Sequence, residues 1–253
     1  MRLALAVVWA AAACAGQSPE VRFLSFAPSP YTSRHDALRA GLGIYLSLDQ
    51  VVRDHKLALR ISFHDGSTVF DQAEPAKRLV RGARVLVIGG STWAQGSAYY
   101  LRRFFEFVDA EPLSGVSVTA WAAAGGSHTG GETLIGDIFR TAMGMGAQVF
   151  SLGQKYMVFT TDERLAPQEG DFTPLDAWYM DQFARTIAVV ALGGQDPERA
   201  AALSRQLGTS PQYWVLLPKQ GSDLARYAPL IRRLNAAADP QSAEYRELRK
   251  LLR

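Results

Sequence analysis

The chain has 253 residues, of which 48% are apolar, and a formal net charge of +3. This length and apolar content suffice for the core of one α/β domain. The basic residues are interleaved with Asp and Glu rather than clustered, which argues against a nucleic-acid groove. Cys14 is the single cysteine, so no disulfide can form within the chain.

The first 16 residues have the layout of a secretory signal peptide. Met1 and Arg2 precede an apolar run over residues 3–13, which ends in three alanines and is too short to cross a bilayer. A buried first strand is the alternative, but β-branched residues are sparse in this run. Cys14 follows the alanines as in a bacterial lipobox that lacks its usual leucine; it is either a lipidated N-terminus or a passive residue of the leader. We therefore expect an exported protein, periplasmic or lipid-anchored at the cell envelope.

Beyond the leader, strand-like and helix-like segments alternate. The strands are predicted at residues 21–27, 57–63, 84–88, 116–121 and 147–152, and the helices at 35–55, 71–80, 95–108, 132–143 and 175–192. The third strand, RVLVI, is a continuous apolar run of the kind buried on both faces of a parallel sheet. The alternation predicts an α/β domain over residues 21–193, with a doubly wound sheet of five parallel strands between two layers of helices.

Residues 194–253 are predicted to be a mainly helical C-terminal extension. Helical patterns cover residues 196–207 and 222–238 and resume at 242. The run YWVLL at 213–217 is either a strand or an apolar clasp on the main domain. No motif with recognisable chemistry occurs in this part of the chain.

Three loops of the predicted sheet are unusual in composition. Right-handed crossovers bring the C-terminal loops of parallel strands to one edge, where ligands of such sheets bind. The loop at 28–35 is rich in hydroxyls, whereas those at 89–96 and 123–132 are rich in glycine. We expect function to lie on these three loops.

The second of these loops resembles a flavin-binding segment. The sequence IGGSTWAQGSAYYLRRFFEF, which follows VLV, is similar to the third-strand loop of flavodoxins. The resemblance implies that Trp93 stacks on the isoalloxazine ring of FMN, while the backbone approaches the ring at Gly89, Gly90, Ser91 and Thr92. A flat aromatic partner and hydrogen-bond donors suit such a ring. The alternative is a core tryptophan preceded by glycines that merely turn the chain.

The third loop carries a related resemblance. The segment VTAWAAAGGSHTGGETLIGDIFRTAMGMGAQVF is similar to the fourth strand and following helix of FMN-dependent NAD(P)H:quinone oxidoreductases of the tryptophan-repressor-binding-protein type. The resemblance implies that the loop wraps the far side of the flavin and its ribityl chain. The residues implicated are Ala124, Gly125, Gly126, Ser127, His128, Gly130 and Gly131. A flexible surface loop is the alternative for such a glycine-rich stretch.

The first loop departs from the family. Flavodoxin-like proteins bind the FMN phosphate here, at the N-terminus of the following helix. The resemblance implies contacts from Ser29, Thr32, Ser33 and Arg34. The stretch lacks the family's central glycine and contains Pro28 and Pro30, and a hydroxyl-rich helix cap explains the same residues without a ligand.

No catalytic side chain is identified. The histidine pair of the quinone oxidoreductases is replaced by the run AMGM at 142–145, which leaves His128 as the candidate substitute. The four histidines lack the spacing of metal ligands, and neither a nucleophile elbow nor a phosphate-binding loop of the Gly-Lys-Ser/Thr type is present.

The resemblance as a whole implies an FMN-binding oxidoreductase. Its electrons would come from NAD(P)H or a membrane donor and pass to a quinone or another small acceptor. Two alternatives stay open: an exported flavodoxin-like electron carrier, and a flavodoxin-shaped binding protein that has lost FMN. A homo-oligomer is compatible with the sequence, whereas a nucleic-acid partner is not expected.

Overall fold

A computed structural model describes residues 18–26, 33–92, 99–108, 113–124, 130–152, 157–160, 174–194, 196–209 and 214–216. All of them belong to the first of two compact units, Met1–Leu217. The second unit, Pro218–Arg253, lies outside the described residues, as do the predicted leader and the two last predicted helices.

The sheet has the strand order β2-β1-β3-β4, followed by a divided fifth position. The strands are β1 (Glu20–Phe26), β2 (Arg60–Asp65), β3 (Val85–Ser91), β4 (Ser117–Ala124), β5 (Gln148–Ser151), β6 (Met157–Thr160) and β7 (Trp214–Leu216). The first four strands are parallel neighbours, and β5 and β6 are both parallel to β4. The predicted doubly wound parallel sheet is confirmed.

The fifth position is filled by two short strands rather than by one. The start of β4, at Ser117 and Val118, pairs with β5, whereas its last part, Trp121 to Ala124, pairs with β6. On the outer side of β5 lies β7, which is antiparallel to it. The strand alternative for residues 213–217 is therefore the one observed, and β6 is a strand that the sequence did not predict.

Six helices of the described residues cover the two faces of the sheet. They are α1 (Ser33–Asp54), α2 (Ala73–Val80), α3 (Tyr99–Val108), α4 (Gly131–Gly144), α5 (Pro174–Gly193) and α6 (Pro197–Leu207), and a 3₁₀ turn (Gly66–Thr68) follows β2. The apolar residues of α1, α5 and α6 share one core with one face of the sheet, and those of α2, α3 and α4 share a second core with the other. The three predicted layers are thus observed.

The alternation of side chains in β1 shows how the sequence makes two cores. Val21 and Phe23 belong to the core under α1, while Leu24 and Phe26 belong to the opposite core. Successive residues of a strand point to opposite faces, so a continuous apolar run serves both layers. The largest fully buried side chain, Trp121 of β4, lies on the α1 side.

Two strands run further than the sequence predicted. The third strand continues from Ile88 to Ser91, and the fourth continues from Trp121 to Ala124. Glycine, alanine and serine have low strand propensity, so the prediction ended each strand at its last β-branched or aromatic residue. In the folded chain Gly89 and Gly90, and likewise Ala122 and Ala123, are paired with strands on both sides.

Candidate functional site

The central strands end side by side at one edge of the sheet. Phe26, the last residue of β1, pairs with Gly90, and Ser91, the last residue of β3, pairs with Ala123. The last residue of β4, Ala124, pairs with Thr160, the last of β6. The segments that follow these four strands therefore leave from one edge, and they include all three loops that the sequence singled out.

The glycines of β3 are explained by packing inside the protein. A side chain on Gly89 would overlap the indole and the carbonyl oxygen of Trp121, and one on Gly90 would overlap the carbonyl of Phe26. Both residues lie in the strand, with neighbours on each side. The prediction that they begin a loop is wrong, because the strand continues through them. Their lack of side chains is required whether or not a ligand is present.

The strand ends at the centre of this edge carry small residues only. The ends of β3 and β4 consist only of Gly89, Gly90, Ser91, Ala122, Ala123 and Ala124. Ser91 and Ala123 are buried, and the N–H of Thr92 donates to the carbonyl of Ala123 over 3.0 Å. A ligand that lies across this edge would meet backbone and short side chains. A flat ring system fits such a surface.

Two helices begin at this edge on opposite faces of the sheet. Helix α1 begins at Ser33, with Arg34 in its first turn, and α4 begins at Gly131, with Glu132 in its first turn. Gly130 caps α4 in a left-handed conformation (φ 94°), which favours glycine. The first N–H groups of a helix lack partners within the helix and carry a partial positive charge, which attracts anions. A phosphate fits α1 better than α4, because the first turn of α4 already carries an acid.

The structure describes part of the predicted site. Its described members are Ser33 and Arg34 at the start of α1, Gly90, Ser91, Thr92 and Ala124 at the ends of β3 and β4, and Gly130 and Gly131 at the start of α4. The other predicted members, Ser29, Thr32, Trp93, Gly125, Gly126, Ser127 and His128, lie outside the described residues. Their contacts with FMN stay predictions.

Sequence reasoning missed one polar residue beneath this edge. Ser25 precedes the last residue of β1; it is 1% exposed, and its hydroxyl has no hydrogen-bond partner. It pairs with Gly89 on one side and with Asp65 on the other. The signal was in the sequence, since the alternation of VRFLSFA assigns Ser25 to the same buried face as Val21 and Phe23.

A second polar cluster lies between β1 and β2. The carboxylate of Glu20 accepts from Arg22 at 2.9 Å and from the hydroxyl of Ser62 at 3.4 Å, and Nε2 of His64 lies 3.0 Å from that hydroxyl. Ser62 therefore stands between the acid and the histidine, so the acid does not orient the imidazole as a catalytic triad requires.

Arg22 also donates to the carbonyls of Arg78, Leu79 and Arg81. These hydrogen bonds connect the C-terminal end of α2 to β1 of the sheet.

This cluster predicts a loss of stability in acid. The hydrogen bond from Arg22 lowers the pKa of Glu20 below its usual 4.5, and burial, followed by the charge of Arg22, lowers the pKa of His64 below 6.5. Each group binds a proton less readily in the folded chain than in the unfolded one. The free energy of unfolding should fall as the pH drops below about 6.5, and fall again below about 4.5. Urea unfolding at a series of pH values measures both steps.

His64→Gln is the matched variant for this prediction. Glutamine can still bond the Ser62 hydroxyl but does not titrate, so the first decline should disappear while the second stays. If the variant and the parent chain lost stability equally between these two pH values, the first decline would have another source.

Within the described ranges, no group of His, Cys, Asp and Glu side chains is arranged to hold a metal ion. No helix in the part of the chain that the structure describes is long and apolar enough to cross a membrane.

Comparison with solved structures identifies the fold as flavodoxin-like. The chain is similar to the apo form of the NADH:FMN oxidoreductase EMOB, with a TM-score of 0.51 and 12% identity over 72% of this chain and 94% of that one. It is also similar to the WrbA-like flavodoxin from Agrobacterium tumefaciens, with a TM-score of 0.50 and 12% identity over 71% of this chain and 100% of that one. No protein-family profile matches the sequence, and no curated protein matches it.

Proposed function

We propose that this chain binds FMN at the carboxyl edge of its sheet and acts as an oxidoreductase. The observation that carries the proposal is that the strands that precede the three predicted loops end side by side at the centre of a flavodoxin-like sheet. Open α/β sheets bind their ligands at this edge, near the point where the strand order reverses. Here the order reverses between β1 and β3.

The residues at this edge fit the parts of FMN. Trp93 would stack on the ring, and the backbone from Gly90 to Thr92 and from Ala124 to Gly131 would border it. Ser29, Thr32, Ser33 and Arg34 would hold the phosphate at the start of α1, where the helix offers unpaired N–H groups. Bound FMN would supply the hydride and electron transfer that no amino-acid side chain provides. The protein would set its orientation and access.

For the reaction itself, we propose electron transfer from NAD(P)H or a membrane donor to a quinone or another small acceptor. EMOB is an NADH:FMN oxidoreductase and has the same fold as this chain. The described part of the edge holds no acid–base pair, which suits a reaction in which the protein mainly positions the cofactor. Since the leader resembles an export signal, with Cys14 as a possible lipid anchor, we propose that the protein works outside the cytoplasm, where a membrane donor is the nearer source of electrons.

One observation favours a second candidate, a flavodoxin-shaped binding protein that has lost FMN. Gly89 and Gly90 are required by Trp121 and Phe26, so these glycines are not in themselves a sign of a ligand. The first loop also lacks the family's central glycine. An electron carrier without its own substrate site stays the third possibility.

FMN binding separates the second candidate from the other two. We expect FMN to bind the purified full chain, and FMN at roughly 100 times its Kd should raise the free energy of unfolding by about 2.7 kcal/mol. Trp93→Ala should weaken binding by about tenfold or more, because the stacking partner is removed. Trp178→Ala is the control, since Trp178 is 54% exposed on α5. Flavin fluorescence gives the affinities, and urea unfolding gives the stabilities.

Turnover then separates the enzyme from the carrier. We expect the FMN-loaded chain to oxidise NADH or NADPH with benzoquinone as the acceptor. If FMN binds but neither nicotinamide supports turnover, NAD(P)H is excluded as the donor, which leaves the carrier and an enzyme that takes electrons from a membrane donor. If FMN neither binds nor stabilises the chain, the oxidoreductase proposal is wrong.

A further inference from the structure

The hydroxyl of Ser25 is a buried polar group with no partner in the protein. Ser25 is 1% exposed, and its Oγ makes no hydrogen bond. A buried hydroxyl left unpaired costs about 1–3 kcal/mol, so native structures rarely keep one without a reason. We propose that Ser25 is a further binding residue of the FMN site, whose hydroxyl hydrogen-bonds the ribityl phosphate chain. This inference rests on the proposed function.

The described neighbours of Ser25 in the sheet do not supply a partner. The backbone of β1 is paired on both sides at this position, with Asp65 of β2 and with Gly89 of β3. Gly89 has no side chain, and the space above it is taken by the indole of Trp121. The carboxylate of Asp65 accepts from both the N–H and the hydroxyl of Ser67 in the following turn. Among the described residues, Ser25 and Thr209 have buried side-chain oxygens without a hydrogen-bond partner, and of these two Ser25 is the one at the strand ends.

The position of α1 shows where a partner would lie. Gly41 of α1 packs on Trp121, and Trp121 lies in the same row of the sheet as Ser25 and Gly89. The helix begins at Ser33, about 12 Å further along its axis at 1.5 Å per residue. Beyond Ser25 the strand has one more residue, about 3.3 Å. The first turns of α1 therefore extend past the end of β1, on the face where Ser25 lies.

A ligand chain at this place would have α1 on one side and Ser25 beneath it. The start of α1 favours a negatively charged group, because its first N–H groups are unpaired and carry a partial positive charge. A serine hydroxyl can donate to a phosphate oxygen, and it can donate to or accept from a ribityl hydroxyl. The ribityl phosphate of FMN contains both kinds of group. The isoalloxazine ring, which is flat and largely apolar, suits the small residues at the ends of β3 and β4 instead.

Ser25→Ala tests this assignment through two readouts with different expectations. We expect the affinity of the flavin-free full chain for FMN to fall by about tenfold or more, because a hydrogen bond to a charged or strongly polar group is lost. The stability of the flavin-free chain should stay the same or rise, because the hydroxyl is unpaired there. Ser25→Thr keeps the hydroxyl and should keep most of the affinity. Ser117→Ala removes another buried serine, at the opposite end of β4, and should leave the affinity unchanged.

The outcomes separate this inference from the proposed function. If the parent chain binds FMN and Ser25→Ala binds it equally well, the role of Ser25 is wrong while the proposed function stands. If Ser25→Ala loses stability without flavin, the hydroxyl has a structural partner and the inference is overturned. If the parent chain does not bind FMN, the proposed function fails and the inference fails with it.

Riboflavin, which lacks the phosphate, locates the contact. A loss of affinity for FMN alone would support a contact with the phosphate, and an equal loss for both flavins would support one with the ribityl chain.

Discussion

Gly89→Ala is expected to lower the free energy of unfolding by about 3 kcal/mol or more, with no flavin present. The added Cβ would overlap both the indole and the carbonyl oxygen of Trp121. The backbone of Gly89 cannot move aside easily, because it is paired with Ser25 on one strand and with Trp121 on the other. The indole cannot move aside either, since Trp121 is fully buried between α1 and the sheet. Urea unfolding of the flavin-free chain, followed by circular dichroism, measures the change.

Gly136→Ala is the control for this substitution. Gly136 lies in α4, and nothing stands within 4 Å of the position its Cβ would take. Alanine there should raise the free energy of unfolding by about 0.5–1 kcal/mol, because glycine weakens a helix interior. If Gly89→Ala left the flavin-free chain as stable as its parent, then the glycine would serve the approach of a ligand, and the packing explanation would be wrong.

The same glycines show how far sequence reasoning reached. The order of strands and helices was predictable, because apolar runs typical of strands alternate with helical spacing along residues 20–193. A layered α/β domain requires this alternation. The convergence of the three loops followed from the same pattern. The reason for Gly89 and Gly90 was not predictable, since it depends on Trp121 and Phe26, which are distant in sequence and become neighbours only in the sheet.

The fifth position of the sheet was also beyond local patterns. The strand β6 consists of four residues, MVFT, and is held through its pairing with β4. Such a short apolar run is compatible with a strand, a helix end or a loop, and only the non-local partner decides between them. The run YWVLL, in contrast, carried a strand signal, but its antiparallel place beside β5 depends on the path of the intervening chain.

The polar residues divide in the same way. The hydroxyl-rich and glycine-rich loops stood out by composition, whereas Ser25 stood out only by its place in an alternating strand. The Glu20, Ser62 and His64 cluster combines residues from two strands, so its members had no visible relation in the sequence. A site made of loops at strand ends can thus be located from sequence, but the groups beneath it need the register of the sheet.

Trp121→Ala is expected to have the second large effect, a loss of about 3–5 kcal/mol in the free energy of unfolding. The side chain of Trp121 is fully buried, and the centroid of its ring lies 6.4 Å from that of Phe23. Removing it leaves a cavity directly beneath the carboxyl edge, which rigid strands on both sides cannot fill. Thermal or urea unfolding of the flavin-free chain measures the loss.

Gly41→Ala tests whether the stability lost in Trp121→Ala comes from the contact between the indole and α1. A Cβ on Gly41 would lie 2.5 Å from Cζ2 of Trp121, and the three nearest atoms all belong to that indole. In the parent chain Gly41→Ala should therefore cost about 1–3 kcal/mol by overpacking. In the Trp121→Ala background the same substitution should instead stabilise the chain by up to about 1 kcal/mol, because alanine favours the helix and the indole is no longer in the way.

If Gly41→Ala lowered the free energy of unfolding equally in both backgrounds of this double-mutant cycle, α1 would not be held in place by its contact with Trp121. The helix would then have to be positioned over the edge by its other apolar residues, Ile44 and Leu48 foremost.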